Sequence, residues 1–527
     1  MAETRTVKGL IASGRDEAIA IAAHDAPPLT YRGLRALVDG AVASLNRLGV
    51  GRGDRVAIVL PNGAAMATAF LSVAAAAASA PLNPAYRHDE FEFYLGDLKA
   101  KALIVDAGSA SSAIAAAEKL GVALITLTPE PQAGAGAFRL SGASVDAVHS
   151  PSLDGRPFGR PMDRVGRAQR ARLQPAEPDD VALILHTSGT TSRPKIVPLT
   201  GANIWASANN IAAALELSER DRALNVMPLF HIHGLIAGLS APLSRGGSVF
   251  CTPGFHALKF FAEMEEARPT WYTAVPTMHQ AILTRAGHNK EIIARHPLRF
   301  VRSSSSSLPP RVIGELEAVF HAPVIESYGM TEATHQMASN PLRGVRKPGS
   351  VGLAAGPEIA IMDEKGRLLG RGQTGEVVIR GDSVTRGYEN HPKANAEAFV
   401  DGWFRTGDQG VIDAEGYLTL TGRLKEIINR GGEKVSPREV DEALMDHPAV
   451  LQAVAFAVPH DMLGEDVAAA VVLREGMSAN EQELRAFLAE RLAAFKAPRK
   501  ILFLAEIPKG ATGKLQRIGL AAKLGLA

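Results

Sequence analysis

Nine residues, Thr187-Ser188-Gly189-Thr190-Thr191-Ser192-Arg193-Pro194-Lys195, put five hydroxyls, one glycine and two cations into a turn-prone stretch behind a short apolar run, residues 181–185. Hydroxyls and main-chain N–H groups donate to phosphate oxygens, Gly189 lets the backbone come close, and Arg193 and Lys195 offset negative charge, so the stretch suits a polyphosphate. Farther on, Glu326-Ser-Tyr328-Gly329-Met-Thr331-Glu332 offers an aromatic ring for adenine, a hydroxyl for phosphate and a carboxylate oxygen of the kind Mg²⁺ takes. Asp408, closing Trp403-Phe-Arg-Thr-Gly-Asp408, is a carboxylate able to accept two O–H bonds. Lys514 stands in a Thr-Gly-Lys-Leu turn, and Gly431-Gly432 in Asn429-Arg-Gly-Gly-Glu-Lys434 permits a narrow backbone approach.

Each segment has a plainer explanation. Ser/Thr clusters are usually surface turns, a Thr-Glu pair is often only a helix start, and lone lysines are mostly solvated. A strand leading into hydroxyls with two cations downstream is harder to dismiss. It is not a Walker A loop, which needs glycine directly before its lysine and Ser or Thr directly after it, where this chain has Pro194 and Ile196. Gly370-Arg-Gly-Gln-Thr-Gly375 matches the dinucleotide fingerprint in letters, but a strand follows it rather than a helix, so it is a turn. Cys251 is the single cysteine, which excludes intrachain disulfides and a zinc cluster, and a small residue packed near a strand is its expected role.

The elements that must carry these residues follow from periodicity. Up to about residue 128, helical patterns (31–48, 64–80, 89–99) alternate with short apolar strands (56–60, 102–105), which predicts a parallel α/β sheet. Residues 129–179, rich in Pro, Gly, Ser and Arg, are expected to be a surface connection. Alternation resumes from Val181 to the strand 323–327. Short β-like runs at 351–361, 375–380 and 416–421 then predict a small β subdomain. From Gly422 a final segment of about a hundred residues has the size of a separate domain. In it Ser436-Pro-Arg-Glu439 predicts a capping box with proline at the first helical position. Strands at 450–458 and 467–473 and a helix at 481–492 follow.

At 527 residues, two or more domains are expected. Hydrophobic residues at 46% and charged residues at 21% fit a globular enzyme, and a net charge of +2 gives no reason to expect nucleic acid or a membrane surface. Six arginines between 156 and 172 have a single interleaved aromatic, Phe158, which favours a solvated loop over a nucleic-acid patch. Residues 64–80 are mostly alanine and too short to span a bilayer comfortably, so no membrane insertion is expected. The first residues lack a secretory apolar core, and cytoplasm is the default location. Oligomeric state is left open, a homo-oligomer being compatible.

The phosphate loop, the Tyr-Gly-Met-Thr-Glu segment, Trp403 to Asp408, Gly422-Arg423-Leu-Lys425, residues 429–434 and Gly513-Lys514 resemble, in order, the motifs of the adenylate-forming superfamily of acyl-CoA synthetases, peptide-synthetase adenylation domains and luciferases. Ser192 and Ile196 stand where glycine is usual in that family. The resemblance implies a large N-terminal α/β domain with parallel sheets and a β subdomain (1–422), and a small mobile α+β C-terminal domain (425–527) on a hinge at 423–425. It implies ATP, Mg²⁺ and coenzyme A as cofactors and a small carboxylic acid as partner. The acid attacks the α-phosphate of ATP to give an acyl-adenylate, and a thiol then takes the acyl group. Thr187, Ser188, Gly189, Thr190, Thr191 and Lys195 are then the phosphate loop. Tyr328, Gly329 and Thr331 serve the nucleotide, Glu332 the metal, Asp408 and Arg423 the ribose, and Lys425 the hinge. Lys514 bridges carboxylate and phosphate, with Lys195, Thr331 and Glu332 completing the catalytic set, and Gly431, Gly432 and Lys434 meet CoA.

The family's acid pocket lies between three segments, which here read Pro228-Leu-Phe-His231-Ile-His233-Gly, Arg302-Ser-Ser-Ser305-Ser-Ser-Leu and Thr331-Glu-Ala-Thr-His335. Serines and histidines make the pocket small and polar, with His231, Ser305 and His335 as its acid-binding residues and Arg302 as a fourth candidate donor. With Ala274-Val-Pro-Thr-Met-His279, the segments resemble the oxalate-CoA ligase branch. Malonate or a short aliphatic acid stays open as an alternative. A nucleotide-binding regulator that has lost catalysis is another, against which Lys514, Glu332 and Asp408 argue.

Overall fold

The computed structural model describes residues 5–143, 173–187, 194–509 and 515–526. Among these, two large sheets stand at the centre. The first has nine strands, with Val324–Met330, Phe300–Ser303, Trp271–Ala274, Arg222–Asn225, Ser248–Cys251 and Ile19–Ala22 side by side in parallel and antiparallel strands at its edges. The second has seven, its parallel middle (Ala123–Pro129, Ala102–Asp106, Arg55–Val59, Ala78–Pro81, Val181–Thr187) ending in the antiparallel strand Lys195–Thr200. The parallel strands of both sheets are mostly buried and the second sheet's are mainly apolar, as strands covered on two faces are, while the first sheet also buries Thr273, Arg302 and Glu326.

The helix Ala64–Ala74 packs against strands of both sheets, and ten of its residues are buried. A helix apolar all round is stable only when enclosed in this way. The alanine run predicted as one helix over 64–80 is therefore divided, because residues 78–81 pair with Arg55–Val59 as a strand. The segment 129–179 is likewise not all connection: Phe138–Gly142 adds an antiparallel edge strand to the second sheet. The arginine-rich residues 156–172 lie outside the described residues. Cys251 is buried in its strand, and burial pushes the thiol up to about 12.

The β subdomain is a six-stranded sheet including Glu358–Met362, Thr374–Arg380, Trp403–Ile412 and Leu418–Arg423. Beyond it Val450–His460 and Gly464–Leu473 pair over ten positions, with the helices Pro437–Met445 and Glu481–Ala489 on one face. Pro437 takes the first helical position as predicted, but the capping box does not form. The Ser436 hydroxyl donates instead to the Thr421 carbonyl, and Glu439 takes the Lys496 ammonium at 2.7 Å. The small domain docks on the first sheet's helices through Gln280 Nε2 to the Leu451 carbonyl (3.0 Å), Arg474 to Glu315 (3.3 Å) and Ser307 to Glu442 (3.3 Å). Among the described residues, no helix is long and apolar enough to cross a membrane.

Candidate active site

The strands Val181–Thr187 and Lys195–Thr200 run antiparallel with Thr187 opposite Lys195. Ser188, Gly189, Thr190 and Thr191 lie outside the described residues. Lys195 sets its ammonium 4.4 Å from the centre of the Tyr388 ring, a cation–π contact. The Tyr388 hydroxyl donates to Glu332 Oε1 at 2.7 Å. Tyr388 is fixed from both sides, its N–H bonding Asn395 Oδ1 (2.7 Å) and the N–H of Glu389 the Ile196 carbonyl (3.1 Å). Thr385 N–H reaches the Glu332 carbonyl at 2.7 Å, so this segment ties the phosphate strand to Glu332. Burial raises the Glu332 carboxyl above the usual carboxylate range, opposed by the Tyr388 bond and the charges of Arg423 and Lys195.

A second cluster forms where Val324–Met330 meets the β subdomain. The buried Tyr328 hydroxyl donates to Asp408 Oδ2 at 2.5 Å, and Arg423 Nε donates to Asp408 Oδ1 at 2.8 Å. Asp408 faces Arg423 across the sheet. Two extra residues, Thr406 and Gly407, bulge the strand between its pairings to Glu376 and Val378 and re-aim Asp408. The charge of Asp408 raises the Arg423 guanidinium further, and burial, then Asp408, raises the Tyr328 phenol. At Gly329 a Cβ would lie 1.7 Å from the His335 carbonyl oxygen, so only glycine lets the next strand fold back here. Thr331 begins the short turn between the two strands and is half-buried.

The third cluster is buried apart from Ser305, which is half-buried. Arg302 is 0% exposed, at the C-terminal end of its strand and in register with Thr273. Its Nη1 lies 3.3 Å from both His233 Nε2 and Thr273 Oγ1, and its Nη2 lies 3.3 Å from His335 Nε2 and 3.1 Å from Gln336 Oε1. His233 Nδ1 is 3.0 Å from Ser305 Oγ, and the His233 and His335 rings stack with centroids 4.8 Å apart. Ser305 and His335 have φ of 77° and 98°, conformations costly for residues with a Cβ and found mostly at functional sites. His233 opens a buried π-helix, His233–Ser240, a wide turn also common at such sites.

The structure thus joins Ser305 to His335 through His233 and Arg302. His231, named from sequence with His335 as a pocket histidine, is half-buried beside Phe230. Gly431, Gly432 and Lys434 lie on an exposed hairpin whose backbone bonds run to Leu463 and Glu465 of the same small domain. Lys425 is exposed just past Arg423. Lys514 lies outside the described residues. Sequence reasoning passed over Tyr388, Thr273 and Gln336 altogether. The alternation of His231 and His233 was the one available sign of a two-faced segment, and nothing in it says which face turns inward.

Two doubly covered sheets, a β subdomain that carries Asp408 and a small C-terminal domain docked at Gln280, Ser307 and Glu315 make this an adenylate-forming enzyme by architecture. The chain belongs to the AMP-binding enzyme family, whose model matches residues 11–389, and the model of the AMP-binding enzyme C-terminal domain matches residues 439–514. It is 46% identical over 496 residues to an oxalate–CoA ligase of Arabidopsis thaliana, covering 93% of this chain and 92% of that one. Identity to an oxalate–CoA ligase of Saccharomyces cerevisiae is 44% over 482 residues, 88% and 86% of the two chains. ATP-bound MatB from Rhodopseudomonas palustris superposes with a TM-score of 0.83 at 30% identity, over 97% of each chain.

Proposed function

We propose that this chain is an oxalate–CoA ligase, converting oxalate, ATP and CoA to oxalyl-CoA, AMP and diphosphate. The observation that carries the choice of acid is the buried Arg302, His233, His335 and Ser305 cluster. Oxalate keeps one carboxylate ionised while the other reacts, and burying that anion unpaired costs several kcal/mol, so its pocket must supply donors and positive charge. The two relatives named for oxalate support the same choice.

In the first half-reaction a carboxylate oxygen of the acid bonds to the α-phosphorus of ATP, the bond to the bridging oxygen breaks, and diphosphate leaves with the electron pair. Two anions must approach, so preorganised positive charge dominates. Lys195, with Lys514 from the tail, serves that need, and Thr187, Ser188, Gly189, Thr190 and Thr191 donate to the phosphates. Tyr328 and Gly329 lie against adenine, Thr331 against phosphate, and Asp408 with Arg423 accepts and orients the ribose. Glu332 fits Mg²⁺: it is a buried carboxylate that no ion pair reaches among the described residues. When bound, the ion offsets phosphate charge. In the second half-reaction the CoA thiolate bonds to the acyl carbon and AMP leaves, with Gly431, Gly432 and Lys434 brought over by rotation of residues 425–527 about 423–425. Residues 1–422 are the fixed unit. A single buried thiol is compatible with the cytoplasm.

The test is AMP release with ATP, CoA and an acid panel. Oxalate is expected to exceed malonate and butyrate, and a preference for butyrate or a longer acid would overturn the assignment. His335→Ala and Ser305→Ala should lower kcat/KM for oxalate roughly tenfold to a hundredfold and leave KM for ATP nearly unchanged.

A further inference from the structure

A buried charge is normally paired, because an unpaired one forfeits its hydration. Arg302 breaks that rule. It is 0% exposed, yet no carboxylate lies within ion-pair distance of it among the described residues, and all four of its acceptors are neutral or hydroxylic groups. Burial pushes its guanidinium down to about 9, which still leaves it charged at neutral pH.

A guanidinium only donates. Its contacts therefore demand a lone pair, not a hydrogen, on Nε2 of both His233 and His335. The neighbours agree. Thr273 Oγ1, accepting from Arg302 Nη1, can donate its own hydrogen to His233 Nε2 at 2.6 Å. Gln336 is held with Oε1 toward Arg302 because its Nε2 donates to the Ala355 carbonyl at 3.0 Å. With Nε2 bare, His233 carries its proton on Nδ1 and donates to Ser305 Oγ at 3.0 Å. Ser305 Oγ is then an acceptor toward the imidazole, and its own hydrogen is left for another partner. The stacked His335 ring must equally present Nδ1–H.

We propose that Arg302 is the positioning residue of the acid pocket: donating to Nε2 of both histidines at once, it holds them as Nδ1–H tautomers, turns the Ser305 hydroxyl into a donor for the acid and sets a fixed positive charge behind all three. The identity of the acid rests on the oxalate assignment above; the tautomers do not. A pocket of donors backed by one cation selects a small acid that keeps a second anionic carboxylate and rejects a tail that would bury methylenes against it.

Two experiments test this. In the full-length wild-type chain labelled with ¹⁵N-histidine, His233 and His335, assigned by loss of each signal in His233→Gln and His335→Gln, should both be protonated on Nδ1 alone at neutral pH. A proton on Nε2 of either ring, or on both nitrogens, overturns the proposal. In kinetics, Arg302→Met should cut kcat/KM for oxalate by about a hundredfold, mostly in KM, while KM for ATP stays within about twofold and butyrate gains relative to oxalate. Arg302→Lys, which restores charge, should recover part of the loss. A folded Arg302→Met that keeps its oxalate KM, or that loses oxalate and ATP binding equally, overturns it. Should these variants not fold, the wild-type tautomers decide. A wild-type enzyme that ignores oxalate defeats the substrate assignment, and the same spectrum still decides the role of Arg302.

Discussion

Asp408 shows how one side chain ties several together. Both of its oxygens are engaged, by Tyr328 and Arg423, so Asp408→Ala strands a buried phenol and a guanidinium together. An unsatisfied buried donor costs about 1–3 kcal/mol, so the variant should lose that much stability in urea melts and also show a raised KM for ATP. An unchanged KM for ATP would remove Asp408 from the nucleotide site. Glu326 sets a pH dependence. It is buried, accepts the Leu308 N–H at 2.9 Å, and burial lifts its carboxyl from 4.5 to about 7. Below pH 4.5 the folded and unfolded chains both hold the proton and no penalty arises. Between pH 4.5 and 7 only the unfolded chain releases it, so stability falls as pH rises, by about 3 kcal/mol in all, and stays level above 7. Glu326→Gln keeps an acceptor for Leu308 and removes the penalty. Melts at pH 5 and pH 8 should show the variant gaining on wild type at the higher pH, and parallel profiles would refute the burial account.

Strand pairing decides where the site residues end up. Val324–Met330 turns through Thr331–Ala333 and returns as His335–Ser339, a reversal tight enough to bring the His335 carbonyl against Gly329. Gly329→Ala should therefore cost about 3 kcal/mol and disturb Tyr328 and His335 together, visible as a lower Tm and a loss of adenylate formation. The start of the helix Pro437–Met445 offers a finer test. Ser436 bonds across to Thr421 and does not cap its own helix. Ser436→Asp, a good cap that cannot donate, should then be destabilised by about 1 kcal/mol, whereas stability equal to wild type would mean that capping governs.

Across the whole molecule, the proposed mechanism has the two half-reactions call on different faces of the small domain. Lys514→Ala is expected to abolish adenylate formation while transfer from a supplied acyl-adenylate to CoA persists, measured as separate diphosphate and thioester assays. An equal fall in both would count against domain rotation. The docked contacts at Gln280, Glu315 and Ser307 describe one arrangement of the two domains, with the Gly431-Gly432 hairpin facing solvent.

Sequence alone determined the α/β class and the small C-terminal domain, and it named the candidates for the nucleotide side. Those features are local: apolar strands have fixed lengths, and a hydroxyl loop with downstream cations has few other uses. Tyr328, Glu332 and Asp408 could be named as candidates for the same reason, since each sits in a short run whose chemistry is self-contained. The tertiary structure decided what depends on which faces meet. The alanine run became helix and strand because only Ala78–Pro81 finds an open edge beside Arg55–Val59, and Ser436 chose Thr421 over its own helix because the sheet brought that carbonyl within reach. Tyr388 joined Glu332 from 56 residues farther along the chain because Ile196 and Glu332 bind its segment. Arg302, at the head of a run of serines, was legible only as a fourth donor to the acid, with nothing local to show what it would touch. Its meaning appears only when three separate elements place Thr273, His233, His335 and Gln336 around one buried charge.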